Sequence, residues 1–187
     1  MESLNKKMLA VIAVGGVLLV LVLFIQQRKK QSTLPPVNVQ EPVQKVTAKF
    51  GSFIFENEPT AKRGEPYEFF VNGSSGEKQI VGFDIILKYD PNAFTFTAAK
   101  SMIADFQIFT SKRDTYVIVT GAKKPESTVP TILNDDDKLV SFTVTPKQTG
   151  EFSFEVVEST EIEKSQMVDE KTTVLYPSVA TMSVEVK

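Results

Sequence analysis

The chain has 187 residues, 42% of them hydrophobic and 24% charged, with a net charge of −2 and no Cys, His or Trp. These zeros exclude disulfides, thiolate catalysis and zinc–thiolate sites, and they remove the commonest general base and metal ligand. Catalysis would have to rest on carboxylates, Lys, Tyr or hydroxyls, so the composition points to a protein that is not an enzyme and carries no cofactor.

After a short tail at residues 1–7, residues 8–25 read MLAVIAVGGVLLVLVLFI, without a charge, an amide or a proline. As a helix rising about 1.5 Å per residue this run reaches roughly 27 Å, close to the ~30 Å hydrocarbon thickness of a bilayer. A soluble core helix would carry a polar stripe, and a cleaved leader would end in small residues, whereas FIQQRKKQ stands here. The run therefore predicts an uncleaved transmembrane signal anchor. Lys6 and Lys7 precede it; Arg28, Lys29 and Lys30 follow it. That balance leans slightly towards a cytoplasmic carboxy-terminal part, but large domains translocate largely regardless of such charges. The expectation is a single-pass protein of the cell membrane with its carboxy-terminal domain extracellular.

Residues 26–44 are polar, bear prolines and lack hydrophobic periodicity, the pattern of an extended linker. In polyproline geometry they would reach roughly 60 Å and hold the domain clear of the membrane. The basic cluster Arg28 to Lys30 suits the headgroup layer. Charge then reverses: residues 1–44 carry a net +3 and residues 45–187 a net −5. An acidic domain without a basic stripe excludes nucleic acid as a natural partner.

From residue 45 the pattern becomes period two, broken by turn residues every eight to fifteen positions, which predicts an all-β sandwich. Nine strands are predicted, at 45–55, 67–72, 79–89, 94–98, 105–109, 115–121, 138–145, 151–158 and 178–186. Gly51-Ser52 interrupts the first and marks a bulge or a switch between sheets. Residues 98–104 are the one place where a short helical turn fits. Alternation assigns Tyr67, Phe69 and Val71 to the core, then Val81, Phe83, Ile85, Leu87 and Tyr89, with matching rows at 140–144, 152–156 and 182–186. Gly82, Asp84, Ile86 and Lys88 fall on the opposite face.

The candidate sites outside that face are weaker. Asn134 to Asp137 is the densest carboxylate cluster, and alternation would point Asp135 and Asp137 the same way as calcium ligands. The cluster lacks the glycine and distal Glu of an EF-hand loop, so a solvated acidic turn is the plainer reading. Glu155, Glu158, Glu161 and Glu163 form a second acidic stretch, without evidence of two acids facing across a cleft. Asn72-Gly73-Ser74 fits a glycosylation sequon and equally a tight turn.

The stretch 82–92, GFDIILKYDPN, resembles the third strand and following turn of cohesin domains. Arg63-Gly64-Glu65 ahead of a strand, and residues 138–144 followed by Thr149-Gly150, resemble the family's second-strand opening and penultimate hairpin. The resemblance spans nearly all of residues 45–187. It implies a nine-stranded jelly-roll sandwich, a fold shared in outline with carbohydrate-binding modules, that holds dockerin-bearing proteins on scaffolds and cell surfaces. It also implies that the partner docks on the sheet of the third, fifth, sixth and eighth strands. Asp84 matches the family's partner-contacting Asp, and Gly82 stands where the family can carry a contacting Asn. Asp84 could otherwise be an ordinary solvated charge. Ile86, outward by alternation, reads either as an exposed interface residue or as one covered by a loop such as 125–133.

The expected function is that of a non-catalytic, surface-displayed adhesion or scaffolding module. Its partner-binding residues would be Gly82, Asp84, Ile86 and Lys88, and its partner a dockerin-like or other secreted protein. Two rival readings remain. A carbohydrate-binding module would need a row of exposed aromatics, for which Tyr116 and Phe70 are the outward candidates. A structural component of an envelope or secretion assembly would use the anchor as much as the domain.

Overall fold

A computed structural model describes residues 50–187. The predicted anchor, the linker and the first residues of the first predicted strand lie outside the described residues. The described chain forms twelve strands: β1 (Ser52–Glu56), β2 (Thr60–Ala61), β3 (Tyr67–Ser74), β4 (Ile80–Lys88), β5 (Phe94–Ser101), β6 (Phe106–Lys112), β7 (Tyr116–Lys123), β8 (Lys138–Pro146), β9 (Gly150–Val156), β10 (Gln166–Asp169), β11 (Val174–Leu175) and β12 (Thr181–Val186).

They build two sheets. The smaller runs β1-β3-β8-β5, every pair antiparallel. In the larger, β4 is central, with β7 and then β6 along one edge. Its other edge is shared: β10 pairs with the Ile80–Asp84 half, and β9 joins at Leu87 and Lys88 and continues through β12 to β2. The gap between β9 and β10 opens at Ile86, and the candidate site depends on it.

The core is the set of inward rows expected from alternation. Phe69 and Phe94 of the smaller sheet meet Phe154 of the larger at ring-centroid distances of 4.8 and 4.7 Å, and Phe69 stacks on Phe142 at 5.4 Å. Phe83, Ile85, Leu87 and Tyr89 are all buried, while Val81 at the strand's start is half-buried. Each fully buried Phe or Leu side chain contributes about 1.5–3 kcal/mol, which is why these rows set the register.

Nine strands fall at the predicted places. The three additional ones, β2, β10 and β11, have two to four residues and no pattern of their own: β2 and β10 exist through long-range pairing with β12 and β4, and β11 through a short hairpin with β10. Gly51 does act at a switch: with φ +75° it turns the chain so that Ser52 both starts β1 beside β3 and bridges Ser178 ahead of β12. Residues 98–101 are strand, with a register shift between Phe96 and Ala98, and a turn follows only at 102–105.

The Asn72-Gly73 reading is corrected. Both residues lie inside β3; Asn72 is buried and its side-chain amide donates to Glu56 Oε2 at 3.1 Å, so neither a glycan nor a turn belongs there. The turn falls on Gly76-Glu77, whose φ values of 57° and 67° are both left-handed.

Candidate functional site

Cross-strand register fixes what the outward face of the larger sheet presents. Directly opposite residues of antiparallel strands share a face. One row therefore runs Phe109 (β6), Thr120 (β7), Asp84 (β4) and Gln166 (β10). Asp84 is no ordinary solvated charge: Thr120 Oγ1 donates to its Oδ1 at 2.7 Å, and Gln166 Nε2 donates to its Oδ2 at 2.9 Å. Both oxygens are thus held by neutral donors. Among the described residues no ion pair neutralises the carboxylate. A fixed, uncompensated negative charge suits recognition of a donor or cation brought by a partner.

The next row is Ser111, Ile118 and Ile86, and here the sequence expectation is corrected. Ile86 faces outward, apart from the interior cluster, yet it is 0% exposed. Its cover comes from residues 157–165 rather than from 125–133. That segment leaves the end of β9 and is tied at both ends to Ile86. The Val157 N–H donates to the Ile86 carbonyl at 3.0 Å, and the Ile86 N–H donates to Ser165 Oγ at 3.0 Å. Ser165 Oγ in turn donates to the Val157 carbonyl at 2.6 Å. A bridge between Ser159 and Lys164 closes the segment on itself. At its tip Glu163 accepts from Tyr116 Oη at 2.9 Å and pairs with Arg113 at 3.4 Å. The segment is a strap laid across the sheet, with Ile86 beneath it.

Between strap and strands lies a concavity of about 470 Å³. Asp84, Thr120 and Ile118 line its sheet side, and Ile162, Glu163 and Lys164 its strap side. Ile162 stands at 83% exposure, an isolated large aliphatic next to a fixed carboxylate. Beyond the strap, Lys88 lines a separate open hollow with Glu151, Ser153 and Glu155. The expected row Gly82, Asp84, Ile86, Lys88 is therefore divided: Asp84 lies in the cleft, Ile86 under the strap, Lys88 on the far side, and Gly82 pairs with Ala122 and Val168.

Sequence reasoning missed Thr120 and Gln166, which reach Asp84 only through long-range pairing, and Ile162, which the strap brings to the cleft. It also missed Phe109, 56% exposed, although alternation in Phe106-Gln107-Ile108-Phe109 gives the signal. The two aromatics it offered for sugar stacking are engaged elsewhere. Tyr116 is held by Glu163, and Phe70 lies under the Lys138 ammonium, 4.0 Å from its ring centroid.

The remaining candidates resolve into structural roles. Asp137 Oδ2 accepts from the Asn134 backbone N–H at 2.7 Å and from its side-chain amide at 3.1 Å, closing the acidic turn on itself, while Asp135 is exposed. Among the described residues no group of three or more His, Cys, Asp or Glu could hold a metal ion. Two carboxyls are held below their ordinary range, Asp169 by the Thr173 and Lys171 backbone N–H groups and Glu56 by Lys138 and Asn72. Burial raises the Tyr67 and Tyr89 hydroxyls. None of these four lines the Asp84 cleft.

No family model and no curated protein matches the sequence. Solved structures do match the fold. A cohesin module from a Clostridium perfringens family 33 glycoside hydrolase superposes with a TM-score of 0.63 at 12% identity, covering 74% of this chain and 98% of that one. The domain has the cohesin fold. A non-cellulosomal cohesin from the hyperthermophilic archaeon Archaeoglobus fulgidus gives 0.55 at 9% identity, over 74% and 91%. The third ScaB cohesin of R. flavefaciens, solved in complex with a group 1 dockerin, gives 0.56 at 16% identity, over 75% and 98%. The resemblance carried by residues 82–92 is thus matched by the architecture around them, with β4 as the third long strand of a cohesin-like sandwich.

Proposed function

We propose that this cohesin-like domain is a protein-binding module whose partner, a dockerin-type or other secreted protein, seats in the cleft at Asp84. The observation that carries the reading is the cleft itself, where a carboxylate fixed on both oxygens lies beside the highly exposed Ile162. An aliphatic anchor next to an oriented charge supplies both the apolar burial and the directional contact of an interface centre. The strap moves that centre away from Ile86 and towards Thr120 and Asp84. The apolar run at 8–25 would hold the module on the membrane, with residues 26–44 displaying it outside the cell. Non-catalytic action fits a cleft whose two carboxylates are both engaged, Asp84 by Thr120 and Gln166 and Glu163 by Tyr116 and Arg113.

Biolayer interferometry of the full chain against a panel of dockerins and soluble oligosaccharides tests this. A dockerin should bind, and Thr120→Arg, which fills the cleft, should weaken it about thirtyfold or more, the loss of an anchor worth ~2 kcal/mol. Equal binding by the wild type and Thr120→Arg would reject the cleft. Binding to oligosaccharides alone would favour the rival carbohydrate reading.

A further inference from the structure

Sheet edges expose unpaired backbone groups, and proteins shorten, bulge or cover them. Three edges of this domain follow that rule. β2 and β11 have two residues each, and β5 carries a register shift between Phe96 and Ala98. A fourth, β1, is short and bridged at Ser52 to Ser178. β6 does not follow it. It has seven residues in unbroken register with β7, contains no proline, and among the described residues no strand pairs with its other edge. At its midpoint stands Phe109, an aromatic 56% exposed.

We propose that β6 pairs antiparallel with β6 of a second copy about a two-fold axis through Phe109. Centring the pair on the midpoint sets every other contact by arithmetic of position. Phe109 faces its own counterpart, Gln107 faces Ser111, and Asp105, just before the strand, falls opposite Arg113, just after it, twice over. Arg113 then shares its guanidinium between its own Glu163 and the second copy's Asp105. The register thus joins an aromatic cross-strand pair at the centre to opposite charges at both ends, with no like charges opposed. The contact is isologous, as a closed dimer requires. It covers the exposed ring and the open edge together, and it merges two larger sheets into one. Asp84 lies two strands away and the cleft extends to Ser111 on β6 itself, so edge pairing sets the two clefts on the same surface on either side of the seam. The inference is independent of what those clefts bind.

The chain's lack of cysteine makes the test direct. Opposed residues in an antiparallel pair have Cα atoms roughly 4.5–5.5 Å apart, within disulfide range. Full-length Phe109→Cys in mild detergent, treated with copper phenanthroline, should form a covalent dimer. It should do so roughly a hundredfold faster than Ile162→Cys, an exposed control on the same face, because pairing raises the local thiol concentration from micromolar towards millimolar. Gln107→Cys and Ser111→Cys should cross-link when mixed and not alone. Phe109→Cys reacting no faster than Ile162→Cys would overturn the proposal. Gln107→Cys dimerising alone as fast as Phe109→Cys would overturn the register and the two-fold with it.

Discussion

Ser165 is 2% exposed and is the joint that fastens the strap to the sheet. Its hydroxyl accepts the Ile86 N–H at 3.0 Å and donates to the Val157 carbonyl at 2.6 Å. Ser165→Ala removes both contacts without adding volume and leaves a buried donor and an acceptor unsatisfied. Such orphans cost about 1–3 kcal/mol each, so the expected loss is about 2–6 kcal/mol. At roughly 3 °C per kcal/mol for a domain of this size, the melting midpoint should fall by about 6–18 °C. The Ile86 amide, which loses its acceptor, should exchange with deuterium at least about tenfold faster, since 1.4 kcal/mol is a factor of ten. Thr160→Ala supplies the control: its hydroxyl bonds at the tip, to the Glu163 and Ile162 N–H groups, can be replaced by water, and the midpoint should barely move. Partner affinity should fall in Ser165→Ala, because Ile162 rides on the loosened segment. An unchanged midpoint together with unchanged Ile86 exchange would refute the assignment of Ser165 as the fastening.

Gly121→Ala should destabilise the fold by about 1–3 kcal/mol, since an added Cβ would stand 2.1 Å from the Phe83 ring, which stacks on Phe106; Phe83→Leu should recover part of the loss in a double-mutant melt. The Asp169 carboxyl, held below its ordinary 3.8 by the Thr173 and Lys171 backbone N–H groups, contributes stability above that value and loses it as pH falls through the lower folded-state value. Melts from pH 6 downward to about pH 2 should therefore show a shallower acid decline in Asp169→Asn than in the wild type, and parallel declines would refute the role.

Alternation was enough to place nine strands and their inward rows, because burying Phe, Val, Ile and Leu on one face leaves a single workable register. It failed where structure depends on pairing at a distance. β10 has four residues, and nothing local in Gln166 to Asp169 announces that Gln166 will donate to a carboxylate 82 positions earlier. Ile86 shows the same limit in another form. Period two correctly turned it away from the core, but alternation reports a face and cannot report what lies on it. The cover came from polar residues 157–165, whose composition reads as an ordinary acidic loop. Asn72-Gly73 failed for a packing reason: Gly73 is under Leu139 and Leu133, whose methyl groups stand 3.0 and 3.2 Å from where a Cβ would be, so close approach rather than turning selects the glycine.

The claim that a protein partner seats beside Asp84 is tested most directly by proximity in the native setting. The full chain, carrying the photo-cross-linker p-benzoylphenylalanine at position 162, is expressed in its own cells and irradiated, and the same is done with the label at exposed Lys100 on β5 of the opposite sheet. The account predicts a discrete protein adduct from position 162 that Thr120→Arg abolishes, and none from position 100. An adduct from position 100 alone, or one from position 162 that survives Thr120→Arg, would contradict it.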